Sequence, residues 1–295
     1  MKHKPKITLI LLAMFLMTQF IGLYVVNFYS GDEKEIPYGM NPPPVEEESD
    51  YSTFFVSIII AFIFAILILF FLTKFDLSMI IRIWFFIVIL LALGISFNSF
   101  ISSIKYASII SILIALPFVY LKMFKGNFVV HNLTEFFIYP GIAAVFVPIL
   151  NIPTIIILLV LISIYDMWAV WKSGIMQKMA KYQMDNLKVF SGFFMPYLSK
   201  KQKQKIKKIK QTKKKGKKIK VNVALLGGGD IIFPIITAGV FLVKWGFIHS
   251  LFVIGGATIG LAALFIFSEK KKFYPAMPFI TTGIFMGVIL SWLLF

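Results

Sequence analysis

Two aspartates lie inside apolar stretches that are long enough to cross a membrane, and they are the strongest candidates for chemistry in this sequence. Asp166 lies in the stretch 153–171 and Asp230 in the stretch 221–243. An aspartate at the centre of a membrane helix costs about 2.5–3.5 kcal/mol on the insertion scale, which makes a functional role the first hypothesis. At about 1.5 Å per residue, Asp166 lies roughly 9 Å and Asp230 roughly 15 Å from the same membrane face. We therefore expect the two acids at comparable depth.

A pair of neighbouring buried carboxylates has a specific chemistry. Two carboxylates a few ångströms apart cannot both ionise cheaply in a medium of low dielectric constant, so they share one proton. The ionised carboxylate can then deprotonate a water molecule while the protonated one gives its proton to a peptide carbonyl oxygen. This is the chemistry of an aspartic protease. Taken alone, the two acids are equally compatible with separate packing roles or with an ion pathway.

The composition is that of a membrane protein. Hydrophobic residues make up 59% of the 295 residues, charged residues make up 15%, and the mean hydropathy is +0.88. A soluble domain has about 45–50% apolar and about 25% charged residues. These values exclude an ordinary cytosolic globular protein, a disordered chain and a secreted disulfide scaffold. Because the chain has no cysteine, disulfides, thiolate metal sites and a cysteine nucleophile are excluded as well.

Nine apolar stretches predict an all-α, polytopic membrane protein with nine transmembrane helices. The predicted spans are 7–29, 53–72, 79–97, 104–121, 133–150, 153–171, 221–243, 247–267 and 274–295. The first stretch is too long for the apolar region of a signal peptide, so we interpret it as a retained span. The chain then divides into a six-helix membrane bundle (1–171), a cytoplasmic lysine-rich loop (172–220) and a three-helix membrane unit (221–295).

The charges predict how the chain is oriented in the cell membrane. With the N-terminus in the cytoplasm and the C-terminus outside, almost all of the 30 Lys and Arg residues fall on the inner side, as basic residues that flank spans require. The acidic loop 32–50 then lies outside, in agreement. The net charge of +17 is therefore a signal of topology.

The loop 172–220 is the one long break between spans. Residues 173–190 have the pattern of an amphipathic interfacial helix, and the lysine run 201–220 is expected to be disordered. Anionic lipid headgroups are possible partners of this loop, at about 1 kcal/mol per nearby lysine. Nucleic-acid binding is not expected, because the loop has few interleaved aromatic residues and no folded platform.

Unusual residues surround both acids. Gly227, Gly228 and Gly229 precede Asp230; each glycine costs about 1 kcal/mol inside a helix, but together they leave room for another backbone to approach. Tyr165 precedes Asp166, and its hydroxyl could donate a hydrogen bond near the acid pair. The last span opens with Pro275-Ala276-Met277-Pro278, where two prolines without N–H groups are expected to deform the first turn.

These three motifs together resemble those of presenilins and signal peptide peptidases. Tyr165-Asp166 is similar to the YD motif of that family, Gly227–Asp230 to its GxGD motif, and Pro275-Ala276-Met277 to its PAL motif. Met277 replaces the usual leucine, which is a mild change of volume. The resemblance extends over all nine spans, is typical of an archaeal presenilin homologue, and agrees with the presenilin orientation.

The resemblance implies an intramembrane aspartyl protease that needs no cofactor and cuts the transmembrane helices of other membrane proteins. Asp166 and Asp230 would be the catalytic pair. Tyr165, Gly227, Gly228, Gly229, Pro275, Ala276 and Met277 would shape the site and hold the substrate. The natural substrate, the need for partner subunits and the oligomeric state do not follow from the sequence.

The segment just before the glycines, Lys218–Leu225, alternates polar and β-branched residues over its first six positions. This period of two predicts a short strand. An unwound substrate helix could add alongside such a strand and pair its freed backbone groups. An irregular start of the seventh span explains the same residues equally well.

Two other functions remain open at this stage. A prepilin-type peptidase shares the G-x-G-D motif but has a different arrangement of spans and no Pro-Ala-Met element. A non-enzymatic ion channel or transporter would use the two acids to bind ions. A zinc protease is not indicated, because His131 and Glu135 form H-N-L-T-E in place of H-E-x-x-H.

Two further patterns give structural predictions. Arg82, Lys105 and Glu135 lie near predicted span ends, from which their side chains would extend to the membrane surface. The glycine pairs Gly256/Gly260 and Gly283/Gly287 predict close packing between the last two helices.

Overall fold

The computed structural model describes residues 5–31, 34–75, 77–173, 190–197, 222–269 and 274–295, and within these ranges the chain forms nine α-helices and one two-stranded sheet. The elements in chain order are α1 (Pro5–Tyr29), α2 (Glu48–Lys74), α3 (Ser78–Ile101), α4 (Ala107–Tyr120), α5 (Phe128–Phe146), α6 (Ile152–Trp168), β1 (Gly192–Tyr197), β2 (Asn222–Gly227), α7 (Gly229–Trp245), α8 (Phe247–Phe267) and α9 (Met277–Leu294). Single π-helical turns follow α4 (Leu121–Lys125) and α6 (Ala169–Ser173).

The prediction of a polytopic helical membrane protein is confirmed. By length and composition, eight of the described helices could cross a membrane. The remaining helix, α7, has only 17 residues. It is shorter than the predicted span 221–243 because the chain runs as strand β2 up to Gly227 and becomes helical only at Gly229.

The predicted strand before the glycines is confirmed over residues 222–225, the part of that segment that the structure describes. Its partner was not predicted. Strand β1 pairs antiparallel with β2, with Gly192 opposite Gly227 and Tyr197 opposite Asn222. The predicted amphipathic helix, apart from Ser173 and Phe190, and the lysine run 201–220 lie outside the described residues.

The main core is built around α1, α5 and α7, which pack against one another. Gln19 of α1 is fully buried and donates a hydrogen bond from Nε2 to the carbonyl oxygen of Ile231, at 3.1 Å. One turn further along α1, Gly22 leaves the space that the side chain of Ile235 fills. Helix α1 therefore holds the first turns of α7 in place, next to Asp230.

Helices α8 and α9 pack along their glycines, as predicted. A Cβ atom on Gly256 would collide with the carbonyl group of Gly283, and one on Gly260 would collide with that of Phe279. On α9, a Cβ atom on Gly283 would collide with the carbonyl group of Gly256, and one on Gly287 would collide with that of Phe252. The backbones of the two helices are therefore in direct contact, which is the usual basis of association between small residues in membranes.

This packing predicts different effects of two adjacent substitutions. Gly256→Ala should lower the free energy of unfolding by about 1–3 kcal/mol, because the backbones must separate. Gly255→Ala is the matched control, because no atom lies within 4 Å of the position of its Cβ; alanine there should be neutral or stabilising by up to about 1 kcal/mol. Thermal unfolding in detergent measures both, and equal melting temperatures would contradict the packing.

Candidate active site

Asp166 lies in the last turn of α6 and points at the beginning of α9. Its Oδ2 atom accepts a hydrogen bond from the backbone N–H of Met277 at 3.0 Å, and only 7% of the residue is exposed. The first N–H groups of a helix have no partner within the helix, and the helix dipole places positive partial charge there. The start of α9 therefore stabilises negative charge on Asp166.

Asp230 also lies at a helix N-terminus, but at that of its own helix, α7. It is the second residue of this helix and is 9% exposed. Its carboxylate accepts a backbone hydrogen bond from Gly227, the last residue of β2. The prediction that Asp230 lies about ten residues into a transmembrane helix is wrong, because residues 222–227 form a strand. Each acid is thus next to a helix N-terminus. Asp166, at the end of α6, contacts the N-terminus of α9, and Asp230 lies in the first turn of α7.

Asp166 is close enough to Asp230 for the two carboxylates to interact electrostatically. About one turn before Asp166 on α6, the hydroxyl group of Ser163 lies 2.8 Å from that of Thr281 and joins α6 to α9. Pro234 has no N–H, so it cannot form the helical hydrogen bond to the carbonyl oxygen of Asp230. The structure therefore brings together the two buried acids that the sequence singled out, one from the end of α6 and one from the start of α7.

The three glycines before Asp230 have different surroundings. A Cβ atom on Gly228 would lie 2.6 Å from Oγ of Ser191 and 2.8 Å from Oη of Tyr139, so any other residue here would displace these two side chains. A Cβ atom on Gly227 would lie 3.2 Å from the Asp230 carboxylate, whereas one on Gly229 would meet only Phe233, at 3.8 Å. The backbone that approaches the glycines belongs to β1, since the N–H of Gly228 donates to the carbonyl oxygen of Ser191 at 3.2 Å.

Pro275, Ala276 and Met277 are buried next to Asp166. Helix α9 begins at Met277, with Pro278 in its first turn. Because the first N–H groups of a helix are unpaired, a proline in this position costs nothing, and the expected deformation of the first turn does not occur. This motif therefore places the Met277 amide on Asp166.

Tyr165 faces away from the acid pair. Its side chain is 41% exposed, and its ring packs edge-on against Phe62 of α2, with the centroids 6.4 Å apart. Within the described part of the chain its hydroxyl has no hydrogen-bond partner, in contrast to the prediction. Tyr165 thus contributes to the contact between α6 and α2.

Glu135 was expected near a span end, and this is wrong. Asn127 caps α5, with its side chain accepting a hydrogen bond from the N–H of Val129, so the helix begins at Phe128. Glu135 therefore lies two turns inside α5, where it is 1% exposed and forms an ion pair with buried Lys122. Arg82 and Lys105 do lie near helix ends, Arg82 in the first turns of α3 and Lys105 between α3 and α4.

Sequence reasoning missed Tyr139 and the whole of β1. Tyr139 is buried in α5 beside Gly228, but a tyrosine in an apolar stretch has no distinguishing pattern. Strand β1 had a weak signal, the apolar run Phe193–Tyr197 inside a lysine-rich loop. Among the described residues, no group of three or more His, Asp or Glu side chains could hold a metal ion.

The family model described as "Signal-peptide peptidase, presenilin aspartyl protease" matches residues 12–295 of this chain. Comparison with curated proteins finds no match. Two crystal structures of a presenilin family intramembrane aspartate protease share the fold. The one in space group C222 has a TM-score of 0.62 and 18% identity, over 98% of this chain and 99% of that one. The one in P2 has a TM-score of 0.59 and 19% identity, over 97% of each chain.

The family match decides between the functions that the sequence left open. It covers both aspartates, the glycine motif and the Pro-Ala-Met element, and it selects aspartic proteolysis over a prepilin-type peptidase or an ion channel. The several described helices that could span a membrane make the chain an integral membrane protein. The chain belongs to the signal peptide peptidase and presenilin family of intramembrane aspartyl proteases.

Proposed function

We propose that Asp166 and Asp230 are the catalytic pair of this protease, and that they hydrolyse peptide bonds within or near the transmembrane helices of membrane-protein substrates. The observation that carries this proposal is that two buried acids from α6 and α7 interact electrostatically, each with a backbone N–H donor. The N–H donors favour the ionised form of a carboxylate, whereas the proximity of a second carboxylate opposes a second charge. One shared proton is the state that satisfies both effects.

The reaction follows from one proton on two acids. The ionised carboxylate takes a proton from a water molecule as its oxygen attacks the peptide carbonyl carbon, and the other acid gives its proton to the carbonyl oxygen. The resulting diol collapses when the leaving nitrogen receives a proton from the first acid and the C–N bond breaks. The second acid then recovers its proton from a hydroxyl group of the diol, which restores the starting state.

The substrate helix must unwind before it can be cut, and its freed backbone groups need partners because an unpaired group in lipid costs several kcal/mol. Among the described residues, the sheet of β1 and β2 has one free edge, the outer edge of β2. On the outer edge of β1, the side chain of Asn132 bonds both the N–H and the carbonyl oxygen of Phe194, at 3.1 and 2.9 Å. His131 lies 2.8 Å from the carbonyl oxygen of Gly192 on the same edge. Side chains of helix α5 therefore occupy the outer edge of β1.

The outer edge of β2 is the proposed binding edge. Phe194 is opposite Leu225, and its backbone groups point away from β2, so those of Leu225 point away from β1. Because the direction alternates along a strand, the same holds for Val223 and Gly227. The N–H of Gly227 already donates to Asp230, so the free backbone groups are those of Val223 and Leu225, and a substrate strand paired with them would be led directly to the acids.

We further propose that the N-terminus lies in the cytoplasm and that the lysine-rich loop contacts anionic lipid headgroups. The distribution of basic residues supports the orientation. The loop lies on the same side, where lysines near an anionic membrane surface contribute about 1 kcal/mol each.

The catalytic pair is tested with the purified chain in lipid vesicles and a reporter that contains a transmembrane helix. The parent should cut the reporter, and Asp166→Asn and Asp230→Asn should each lose about 10²–10⁴-fold in rate, the usual contribution of acid–base catalysis. Unchanged melting temperatures would show that the variants are folded. Cleavage by either variant at the rate of the parent would contradict the assignment.

The binding edge is tested with two prolines. Val223→Pro removes an N–H from the outer edge of β2 and should raise the KM for the reporter at least about tenfold, while the hairpin stays intact. Ala224→Pro is the matched control, since its N–H points at β1; it should lower the melting temperature instead. Normal KM in Val223→Pro would exclude pairing along this edge.

The orientation is tested by cysteine labelling, for which the absence of natural cysteines gives a clean background. A membrane-impermeant thiol reagent added to intact cells should label Pro44→Cys, in the loop between α1 and α2. It should label Lys125→Cys, after α4, only once the cells are permeabilised. The opposite pattern would reverse the proposed topology.

A further inference from the structure

A buried charge cluster lies beside β1, outside the residues that the reaction uses. The ammonium group of Lys122, in the π-helical turn after α4, forms an ion pair with Oε1 of Glu135 and lies 3.2 Å from Nδ1 of His131. The side chains of Lys122 and Glu135 are 2% and 1% exposed. The turn Leu121–Lys125 buries Lys122 and Met123 against α5, although a lysine at the end of an apolar helix would normally extend to the membrane surface.

The cluster has a defined proton arrangement around His131. Because a carbonyl oxygen only accepts hydrogen bonds, Nε2 of His131 must carry the proton that it donates to Gly192, at 2.8 Å. Nδ1 then accepts from the ammonium group of Lys122, which can only donate. Lys122 and Glu135 therefore hold His131 in the tautomer that anchors the first residue of β1.

A second contact runs from the cluster to the glycine turn. Tyr139 lies one turn beyond Glu135 on α5, and its Oη atom borders the space where a Cβ atom on Gly228 would be. The hydroxyl group of Tyr139 is buried and interacts with the carboxylate of Glu135 and with Ser191, the residue before β1. His131 holds Gly192, which lies opposite Gly227, and Tyr139 borders Gly228. Both contacts therefore act on the turn 227–230, which includes Asp230.

Stability is a poor explanation for such a cluster. Removing two charges from water is costly, and replacing a buried ion pair with apolar residues of similar volume is often neutral or stabilising. The ordered arrangement of donors and acceptors indicates a positioning role instead.

We propose that Lys122, His131 and Glu135 are positioning residues that hold the glycine turn, and with it Asp230, at the geometry that the reaction needs. This inference rests on the proposed catalytic role of Asp230 and adds three residues to the determinants of the rate. Asn132 holds β1 further along, at Phe194 and opposite Leu225 of the proposed binding edge. The two neighbouring residues therefore have different functions, with His131 acting on the chemical step and Asn132 on substrate binding.

The test compares kcat and KM for the full chain in lipid. His131→Ala should lower kcat by about 10- to 100-fold, the usual effect of a small misplacement of a catalytic group, with KM within about twofold of the parent. His131→Gln should restore kcat to within about threefold, because its amide can donate to Gly192 and accept from Lys122. Asn132→Ala should raise KM and leave kcat unchanged.

A double variant separates positioning from folding. Lys122→Met/Glu135→Leu replaces the ion pair with apolar side chains, so the melting temperature should stay the same or rise, while kcat falls as in His131→Ala. Tyr29→Phe is a control for the loss of a buried tyrosine hydrogen bond, since its hydroxyl bonds Ile95 and Asn98 at a distance from the acids; its kcat should be that of the parent. Unchanged kcat in both the double variant and His131→Ala would overturn the proposal.

Hydrogen exchange gives a second readout that does not need cleavage. The backbone amides of 192–197 and 228–230 should exchange faster in His131→Ala and in the double variant, and at the rate of the parent in His131→Gln. If Asp230 proved not to be catalytic, this pattern would still support the anchoring of the turn. Equal exchange in all variants would overturn the anchoring whatever the activity.

Discussion

The cost of keeping two carboxylates side by side in a buried site is the constraint on which the rest of this structure depends. An isolated buried charge is prohibitively expensive, and a second one nearby is worse. The chain meets this constraint with backbone dipoles, since Asp166 accepts from the first N–H of α9 and Asp230 lies in the first turn of α7. Neither acid has a described lysine or arginine partner, which would fix its charge and remove its ability to exchange a proton.

The position of Asp230 at a helix start has a structural consequence. The chain must leave the helical state before Asp230, and the backbone groups so exposed need partners. Strand β1 provides them on one side of β2, and His131 and Asn132 close the far side of β1. One edge, that of Val223 and Leu225, is left without a partner in the described part of the chain. The arrangement that places Asp230 at a helix start thus also produces the edge that we propose binds the substrate.

Most of this architecture could be predicted because hydropathy and intramembrane charge are local signals. Nine apolar stretches correspond to the nine helices of the described residues, and Asp166 and Asp230 stood out because each is costly where it is. The start of α7 could not be predicted in this way, since a strand and a helix in an apolar stretch have the same hydropathy. Glu135 was misplaced because the cap at Asn127 moves the start of α5 by several residues. Strand β1 and Tyr139 depend on contacts between distant segments, which no local pattern reveals.

We propose that Asp166 and Asp230 act as one unit with one shared proton, and ligand binding tests this proposal without a substrate. A peptide isostere that carries a hydroxyl group in place of the scissile bond imitates the tetrahedral intermediate and binds between the two acids. The account predicts that the parent binds this isostere and that Asp166→Asn and Asp230→Asn each weaken binding by about 10²-fold or more, while the matching peptide without the hydroxyl binds all three forms equally weakly. Undiminished binding of the isostere by either variant would contradict the account.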